Sequence, residues 1–308
     1  MLTDEEKKMV GGSDGSAIAG LNPNKSPHAV WRRIVEGFDE PAGKAARRGT
    51  LMEPVIRSMA AEDFGLTLLG PRKLKDPRRA FMRSNLDDVN QADDGPEVVE
   101  FKSVSGFAAK EYGEADDAFP LIHHCQVQIY LALSGFKRAR LIALIGMDDL
   151  RQYFVESNPE IQGMLFEHID RFWVDHVLTR KPPPEDASEG CAEWLAARYP
   201  VAKGPVVQAT PEAERWATQL QAAKLAKDAA EYREEEAKNH LKALCGDASS
   251  IEGRGWRAAW SNVKGRTALE VEALLKELNP PAAILAKHTI QKPGYRAFRS
   301  TFQNGESK

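Results

Sequence analysis

The groups best suited to chemistry are concentrated in RSNLDDVNQADDGPEVVEFKSV, residues 83–104. The segment reads as two strands joined by the polar turn NQADDGPE, with Gly and Pro as punctuation. On the second strand Glu100 and Lys102 are two apart and share one face, while Val99 and Phe101 point to the other. If the hairpin closes, Asp87 returns beside Glu100. Two carboxylates at bonding distance repel unless a cation sits between them, and hard oxygen ligands favour a hydrated magnesium ion. Such an ion acidifies bound water and polarises a phosphoryl oxygen. Lys102 is placed to orient or deprotonate the attacking water. The chemistry would be metal-assisted phosphodiester hydrolysis. The pattern is short, and it also fits a solvated edge strand with a turn aspartate.

Three further segments bear on that site. PLIHHCQVQIYLALSG, residues 120–135, reads as a helix with His123, Gln126 and Tyr130 on one side and Ile122, Cys125, Ile129 and Leu133 on the other. An ordinary amphipathic helix fits as well. Of the adjacent pair His123 and His124, one is expected at the site or on DNA and the other in packing, since neighbours on a helix cannot face one metal. RRGTLMEPVIRSM places Glu53 just inside an expected helix start, where the dipole favours a carboxylate. PRKLKDPRRAFMR, residues 71–83, carries Arg72, Lys73, Lys75, Arg78, Arg79 and Arg83 against Asp76 alone. Lys44, Arg47 and Arg48 extend this basic track, and Asp87, Asp88, Asp93, Asp94, Glu97 and Glu100 follow it. Phosphates would bind the track, with metal inside the acidic cluster.

The whole chain constrains these readings. It has 308 residues, 42% hydrophobic and 28% charged, which excludes a disordered tail or a membrane bundle. Lys plus Arg is 42 and Asp plus Glu 45, a net −3, so the totals are not those of a strongly basic nucleic-acid binder. The near-balance reads as basic segments cancelled by a carboxylate cluster that needs metal. Cys125, Cys191 and Cys245 form no CxxC pair, which points to a reducing compartment and argues against structural zinc or an iron–sulfur cluster. No apolar run approaches a membrane span, and MLTDEEKKMV is not a hydrophobic signal segment. The expected location is the cytoplasm.

The elements that must hold the site follow from periodicity and breakers. SPHAVWRRIVEGF and RGTLMEPVIRSMAAEDF read as helices and the runs near 80–104 as strands. KPPPEDASEG, residues 181–190, forbids both and marks a boundary. Beyond it come a short helix in CAEWLAARYP, a loop, and a long helix from Ala213 to about Leu244. Ala213, Trp216, Leu220, Ala223, Ala230, Ala237, Leu241 and Leu244 form its heptad-like seam, suited to a neighbouring subunit or to its own domain. The tail reads as two short strands around a helix, in GWRAAWSNVKGRTALEVEALLKEL and PGYRAFRSTF. Trp31, Trp173, Trp256 and Trp260 are expected in the core. The expected fold class is α/β, a central mixed sheet flanked by helices, with a helical arm and a small α+β tail. The expected domains are 1–180, a linker with a short helix at 181–210, and 211–308.

GGSDGSAIAGLNPNKSPHAVW, RRGTLMEPVI, SNLDDV, VVEFKSV and HHCQVQIYLALSG, in this order over residues 11–145, resemble the YqaJ-type viral recombinase family. This is the phage lambda exonuclease branch of the PD-(D/E)xK nucleases. The resemblance implies that Asp87 and Glu100 bind metal with the main-chain carbonyl of Phe101, and that Lys102 is the catalytic lysine. It implies that Glu53 completes the acidic site, and that Gln126 and Tyr130 are the QxxxY pair supporting the site and the DNA strand. Ser13 would hold the 5′-phosphate of the recessed strand, and Arg48 and Arg83 would contact DNA. Glu6, flanked by Lys7 and Lys8, stands where the family usually has an arginine, and lysine is a point charge without a bidentate fork. Asp88 stands where glycine is common, as a surface hairpin carboxylate or a charge that tunes the metal. The implied activity is magnesium-dependent 5′→3′ digestion of linear double-stranded DNA ends, with manganese as a substitute ion, leaving 3′ single strands for recombination. The implied partners are a single-strand annealing protein and two further copies in a ring-shaped homotrimer; the implied source is a phage or prophage in a bacterial host. Two other readings fit the same residues: an endonuclease or structure-specific nuclease on this core, and a catalytically silent DNA-binding assembly protein. Arg254, Arg257, Lys264, Arg266, Arg296 and Arg299 permit DNA contact by the tail.

Overall fold

The computed structural model describes residues 3–38, 43–116, 118–291, 294 and 297–302. The chain divides into two compact units, Met1–Tyr199 and Pro200–Lys308.

The first unit is built on seven strands: β1 (Val10–Gly11), β2 (Arg72–Lys75), β3 (Met82–Leu86), β4 (Asp88–Ala92), β5 (Gly95–Val104), β6 (Arg138–Ile145) and β7 (Asp149–Glu156). They form two sheets. The larger has the order β4-β5-β6-β7, with β5 and β6 parallel and the outer pairs antiparallel. The smaller is β1-β3-β2, with β1 parallel and β2 antiparallel to β3. This is the mixed α/β architecture expected from the sequence. Asp87 is the single residue between β3 and β4, at the bend where the chain passes from one sheet to the other.

Helices cover both faces of the larger sheet. In chain order they are α1 (Asp4–Lys7), α2 (Gly15–Ile18), α3 (Pro27–Trp31), α4 (Lys44–Asp63), α5 (Leu121–Ser134), α6 (Pro159–Phe172) and α7 (Glu189–Arg198). Successive side chains on a strand alternate between faces. Val99 and Phe101 of β5 and Ile142 and Leu144 of β6 therefore pack with Ile56 and Ala60 of α4. Val98, Val104, Ala139, Leu141 and Ala143 pack with Val127, Tyr130 and Leu131 of α5. Glu100 and Lys102 have the parity of Val98 and Val104, which turns them toward α5. The opposite side of α5, Cys125 and Ile129, joins Ile18, Trp31, Leu165, Ile169 and Trp194 in a further apolar cluster.

Three expectations are corrected. Helix α4 begins at Lys44 and carries Pro54 in its interior, so Glu53 is mid-helix and owes nothing to a helix N-terminus. Pro54 lacks an N–H, which deprives the Thr50 carbonyl of its helical donor. The boundary expected at the prolines lies beyond them, because Cys191 and Trp194 of α7 are buried and Trp194 sits edge-on to Trp31, ring centroids 6.4 Å apart. Trp31 is buried and Trp173 stacks on Phe81, but Trp256 and Trp260 are about half exposed.

The second unit contains α8 (Pro211–Cys245), the hairpin β8 (Ser250–Gly253) and β9 (Trp256–Ala259), then α9 (Val271–Leu278) and α10 (Ala282–His288). The first expected tail strand is thus a hairpin. The second falls in part on residues 293, 295 and 296, outside the described residues, Arg296 among them. Thr210 caps α8, accepting from the Ala213 N–H, and Lys238–Glu234 and Lys227–Glu231 pairs line its surface. Of its seam, the half-buried Leu241 lies by the hairpin, as does the buried Cys245 outside the seam, while Trp216 and Leu244 stay exposed.

Gly12 is where small size decides packing. A Cβ there would meet the Tyr130 ring at 2.5 Å and the Ser84 Oγ at 2.7 Å, and both neighbours are buried. A rigid ring held by its own hydrogen bond cannot yield as a chain end would. Gly12→Ala is expected to lower unfolding free energy by roughly 1–3 kcal/mol, read as a lower urea midpoint at unchanged slope. A wild-type midpoint would contradict the close packing.

Candidate active site

The bend at Asp87 brings its carboxylate to the middle of β5, where Oδ2 accepts the Phe101 N–H at 2.9 Å. Strand β4 pairs with β5 only as far as Asp88 opposite Val99. Beyond that point Asp87 takes the place of a neighbouring strand. The N–H and C=O of one strand residue point to the same edge, so the Phe101 carbonyl is directed toward the edge occupied by Asp87.

Glu100 is 2% exposed. Its Oε1 accepts from Lys102 Nζ and, at 2.7 Å, from Gln126 Nε2. Gln126 also donates to the Tyr130 hydroxyl at 2.8 Å and accepts from Lys102 Nζ at 3.2 Å. The four side chains form one network, with the QxxxY spacing setting two of them one helical turn apart on α5. The other carboxylate oxygen of Glu100, Oε2, is buried with no hydrogen-bond partner. A buried, unpaired anionic oxygen is costly, and a cation relieves that cost.

The electrostatics agree with a site prepared for positive charge. Burial pushes the Asp87 carboxyl well above the usual aspartate range, and Glu100 adds to the rise. Burial also raises Glu53, which is half-buried, with Glu100 contributing and Lys102 opposing. For Lys102 burial works against the charge, but Glu100, Asp87 and Glu53 outweigh it and lift its pKa above the ordinary lysine value. Lys102 is therefore an ammonium at neutral pH, suited to orienting and charge stabilisation and not to taking a proton. Burial holds Tyr130 neutral and, together with Lys102, lowers His123 to about 3. Of the two histidines, His123 lies in the field of Lys102, and His124 stacks on Phe119 with centroids 3.7 Å apart.

Hard oxygen donors suit magnesium. Asp87, Glu100 and the Phe101 carbonyl are the residues that would hold it, with Glu53 near enough to act through water. Arg48 is exposed and donates to the Ser103 carbonyl at 2.9 Å, at the end of β5 just past Lys102. Ser13 is exposed on the turn Gly12–Asp14. Its neighbour Asp14 is buried, paired with Arg33 at 2.6 Å and Lys25 at 2.7 Å, and accepts the Gly11 N–H. Burial alone would raise the Asp14 carboxyl; the two cations outweigh it and hold it below its usual value. Arg33 and Lys25 are not singled out by the sequence, since only the fold brings the segments flanking α3 to this turn.

Several charged residues stand elsewhere than expected. Arg83 is 7% exposed and its Nε donates to the Glu6 carbonyl at 3.0 Å, so it is no part of an open basic track. Lys73 pairs with Glu6, Lys75 with Glu5, and Arg79 with Asp76 and Asp170, because β2 lies along α1 and the loop after it meets α6. Lys73 and the Thr3 cap hold the Glu6 carboxyl down at about 2. Asp88 is fully buried: Arg57 pairs with it at 2.6 Å, and the Gly70 and Val89 N–H groups bond its other oxygen. It is neither a surface carboxylate nor a metal ligand. Glu97, at the far end of β5, is held by Arg138, Arg140 and Asn90 and leaves the acidic cluster.

The family profile of the YqaJ-like viral recombinase domain matches residues 4–137. The protein YqaJ of Bacillus subtilis (strain 168), described as uncharacterized, is 30% identical over 200 residues. That match covers 63% of this chain and 61% of the relative, so the chain spans about three fifths of the relative's length. Among solved structures, LHK-Exo in complex with dAMP is 14% identical with a TM-score of 0.47, covering 63% of this chain and 95% of that one. LHK-Exo is an alkaline exonuclease from Laribacter hongkongensis. A phage-related exonuclease from Haemophilus somnus 129PT is 12% identical with a TM-score of 0.44, over 56% of this chain and 96% of that one. The matched stretch contains Asp87, Glu100, Lys102, Gln126 and Tyr130, while β6, β7, α6 and α7 lie beyond it. Among the described residues, no helix is long and apolar enough to cross a membrane.

The raised Asp87 pKa fixes a pH dependence. Without metal, folding takes up a proton between the ordinary aspartate value of 3.8 and the higher folded value. This contribution stabilises at pH below that window and is lost as pH rises through it. Asp87→Asn is expected to flatten the loss in urea unfolding followed from acid to neutral pH in EDTA. Magnesium should stabilise the wild type and not the variant. Identical pH slopes for the two proteins would refute the assignment.

Proposed function

We propose that this protein is a magnesium-dependent deoxyribonuclease that digests linear double-stranded DNA 5′→3′, leaving 3′ single strands for recombination by annealing. The observation that carries the reading is the convergence of Asp87, Glu100 and Lys102 around a buried carboxylate oxygen with no partner. The YqaJ-like domain supports the same class of chemistry. Manganese would substitute for magnesium.

The residues divide the work. Asp87, Glu100 and the Phe101 carbonyl hold the ion, and Glu53 completes the acidic wall. Bound magnesium supplies Lewis-acid stabilisation of phosphoryl charge and a more acidic water. Lys102 spends two of its three N–H donors on Glu100 and Gln126 and directs the third to water or a phosphate oxygen. Gln126 and Tyr130 fix Glu100 from behind. Arg48 meets the DNA backbone beside β5. Ser13, on a turn braced by Asp14, Arg33 and Lys25, takes the 5′-phosphate, and Arg83 offers its terminal guanidinium nitrogens. The first unit, to Tyr199, would be the nuclease domain, and residues 200–308 an arm with exposed Arg254, Lys264, Arg266 and Arg299 free to meet DNA. A homotrimer around DNA, a single-strand annealing partner and a host-cytoplasm location complete the proposal.

An endonuclease on the same core is favoured by one observation: Glu6, at the position of the expected arginine, is a carboxylate tied to Lys73. Linear duplex labelled at either end separates the two readings. With magnesium, 5′-label is expected to be released first while closed circles persist; rapid cutting of circles would overturn the exonuclease reading. Glu100→Ala is expected to reduce hydrolysis to background with DNA binding retained, and Lys102→Ala to cost roughly 10²–10³-fold in rate. Unchanged turnover by either would refute the site.

A further inference from the structure

Away from the acidic site, the fold assembles residues 160 positions apart into a different kind of donor set. One ring nitrogen of His28, the Cys191 thiol and a carboxylate oxygen of Asp186 lie within 4.8 Å of one another. His28, on α3, is 0% exposed, and its Nδ1 is buried with no hydrogen-bond partner. That nitrogen faces Asp186 Oδ2 at 4.0 Å, too far for a hydrogen bond, while Nε2 lies 3.9 Å from Cys191 Sγ. The other oxygen of Asp186 accepts the Ser188 N–H at 2.9 Å, which fixes the carboxylate with Oδ2 turned to His28. Ser188 in turn caps α7, accepting the Cys191 N–H at 3.1 Å.

We propose that His28, Asp186 and Cys191 form a second metal site, of zinc type, that fastens the proline-rich strap and α7 to α3. Thiolate and imidazole are soft or borderline ligands that select zinc over magnesium, the reverse of the all-oxygen set at Asp87 and Glu100. Tetrahedral zinc places its ligand atoms roughly 3.3–3.6 Å apart. An ion takes one nitrogen of His28, and the three ligand atoms, now within 4.8 Å of one another, close to that spacing with movements of roughly an ångström. Asp186 is exposed and makes its share of them about the Ser188 anchor, and three protein ligands leave the fourth position to water. Binding releases the thiol proton of Cys191 to solvent and leaves the thiolate on the ion. Burial holds the metal-free thiol protonated and keeps His28 neutral, the form in which an imidazole ligates.

The test uses the full chain, stripped of metal and then saturated with magnesium to fill the oxygen site. Cobalt(II) is added as a spectroscopic stand-in for zinc. The expected result is one equivalent bound with a thiolate-to-cobalt charge-transfer band, which the oxygen ligands at Asp87 and Glu100 cannot give, and its loss on adding zinc. Cys191→Ser should abolish the band in a chain that circular dichroism shows to be folded. Asp186→Asn, at an exposed position, should weaken cobalt binding at least about tenfold. A folded wild type without the band, a band that survives Cys191→Ser, or undiminished affinity in Asp186→Asn would each overturn the proposal. DNA hydrolysis is not read, so failure of the proposed nuclease function leaves this test intact.

Discussion

Two carboxylates and a lysine share one partly dry space beside β5, and the first unit is arranged to tolerate that. Asp87 and Glu100 repel, and Lys102 compensates only one of them fully. Its ammonium is committed to Glu100 and Gln126, while burial first and then the Glu100 charge raise the Asp87 pKa. Buried unpaired charge is normally selected out of cores because it costs stability. Here each surrounding element restrains it without neutralising it: α5 with Gln126 and Tyr130, the β5 main chain with the Phe101 N–H, and α4 with the half-buried Glu53.

The geometry has a simple origin in chain path. One residue, Asp87, separates a strand of the small sheet from a strand of the large one. Had β3 run straight into β4, Asp87 would have been a ladder residue with its side chain fixed to one face. The bend frees it to cap an unpaired stretch of β5. Asp88 makes the bend durable, because its fully buried carboxylate ties β4 to Arg57 of α4 and to the Gly70 and Val89 N–H groups. The acid that departs from the family's usual glycine is a structural tie placed one residue from the site.

What the sequence made legible is what period and local pairing determine. The hairpin, the shared face of Glu100 and Lys102, and the polar side of α5 all follow from spacings of two, three and four. The errors came where long-range pairing decides. A run of basic residues in a strand gives no hint that α1 will lie beside it and neutralise Lys73 and Lys75. Glu97 looked like part of the acidic cluster because it is three residues from Glu100, yet odd separation on a strand sends it to the other face, where Arg140 waits. The sequence places Glu53 just inside a helix start, whereas the helix begins at Lys44 and holds Pro54 in its interior. Cys191 and His28 are 163 residues apart, a separation at which motif spacing says nothing.

The same distinction changes the meaning of the charge balance. The near-equality of 42 basic and 45 acidic residues is not mainly a DNA-binding track offset by a metal-binding cluster. Lys73, Lys75, Arg79, Arg138 and Arg140 are matched locally to acids of the same unit, as are Arg33 and Lys25 to Asp14. Charges satisfied this way contribute little to a long-range field, since each pair is a dipole whose potential falls away within a Debye length. Attraction for a polyanion then rests on the few cations left facing outward, Arg48, Arg72 and Arg78 among them, and on any ion held by Asp87 and Glu100. In the first unit the metal would thus serve binding as well as chemistry: it turns the most repulsive point on the surface, from a phosphate's standpoint, into an attractive one.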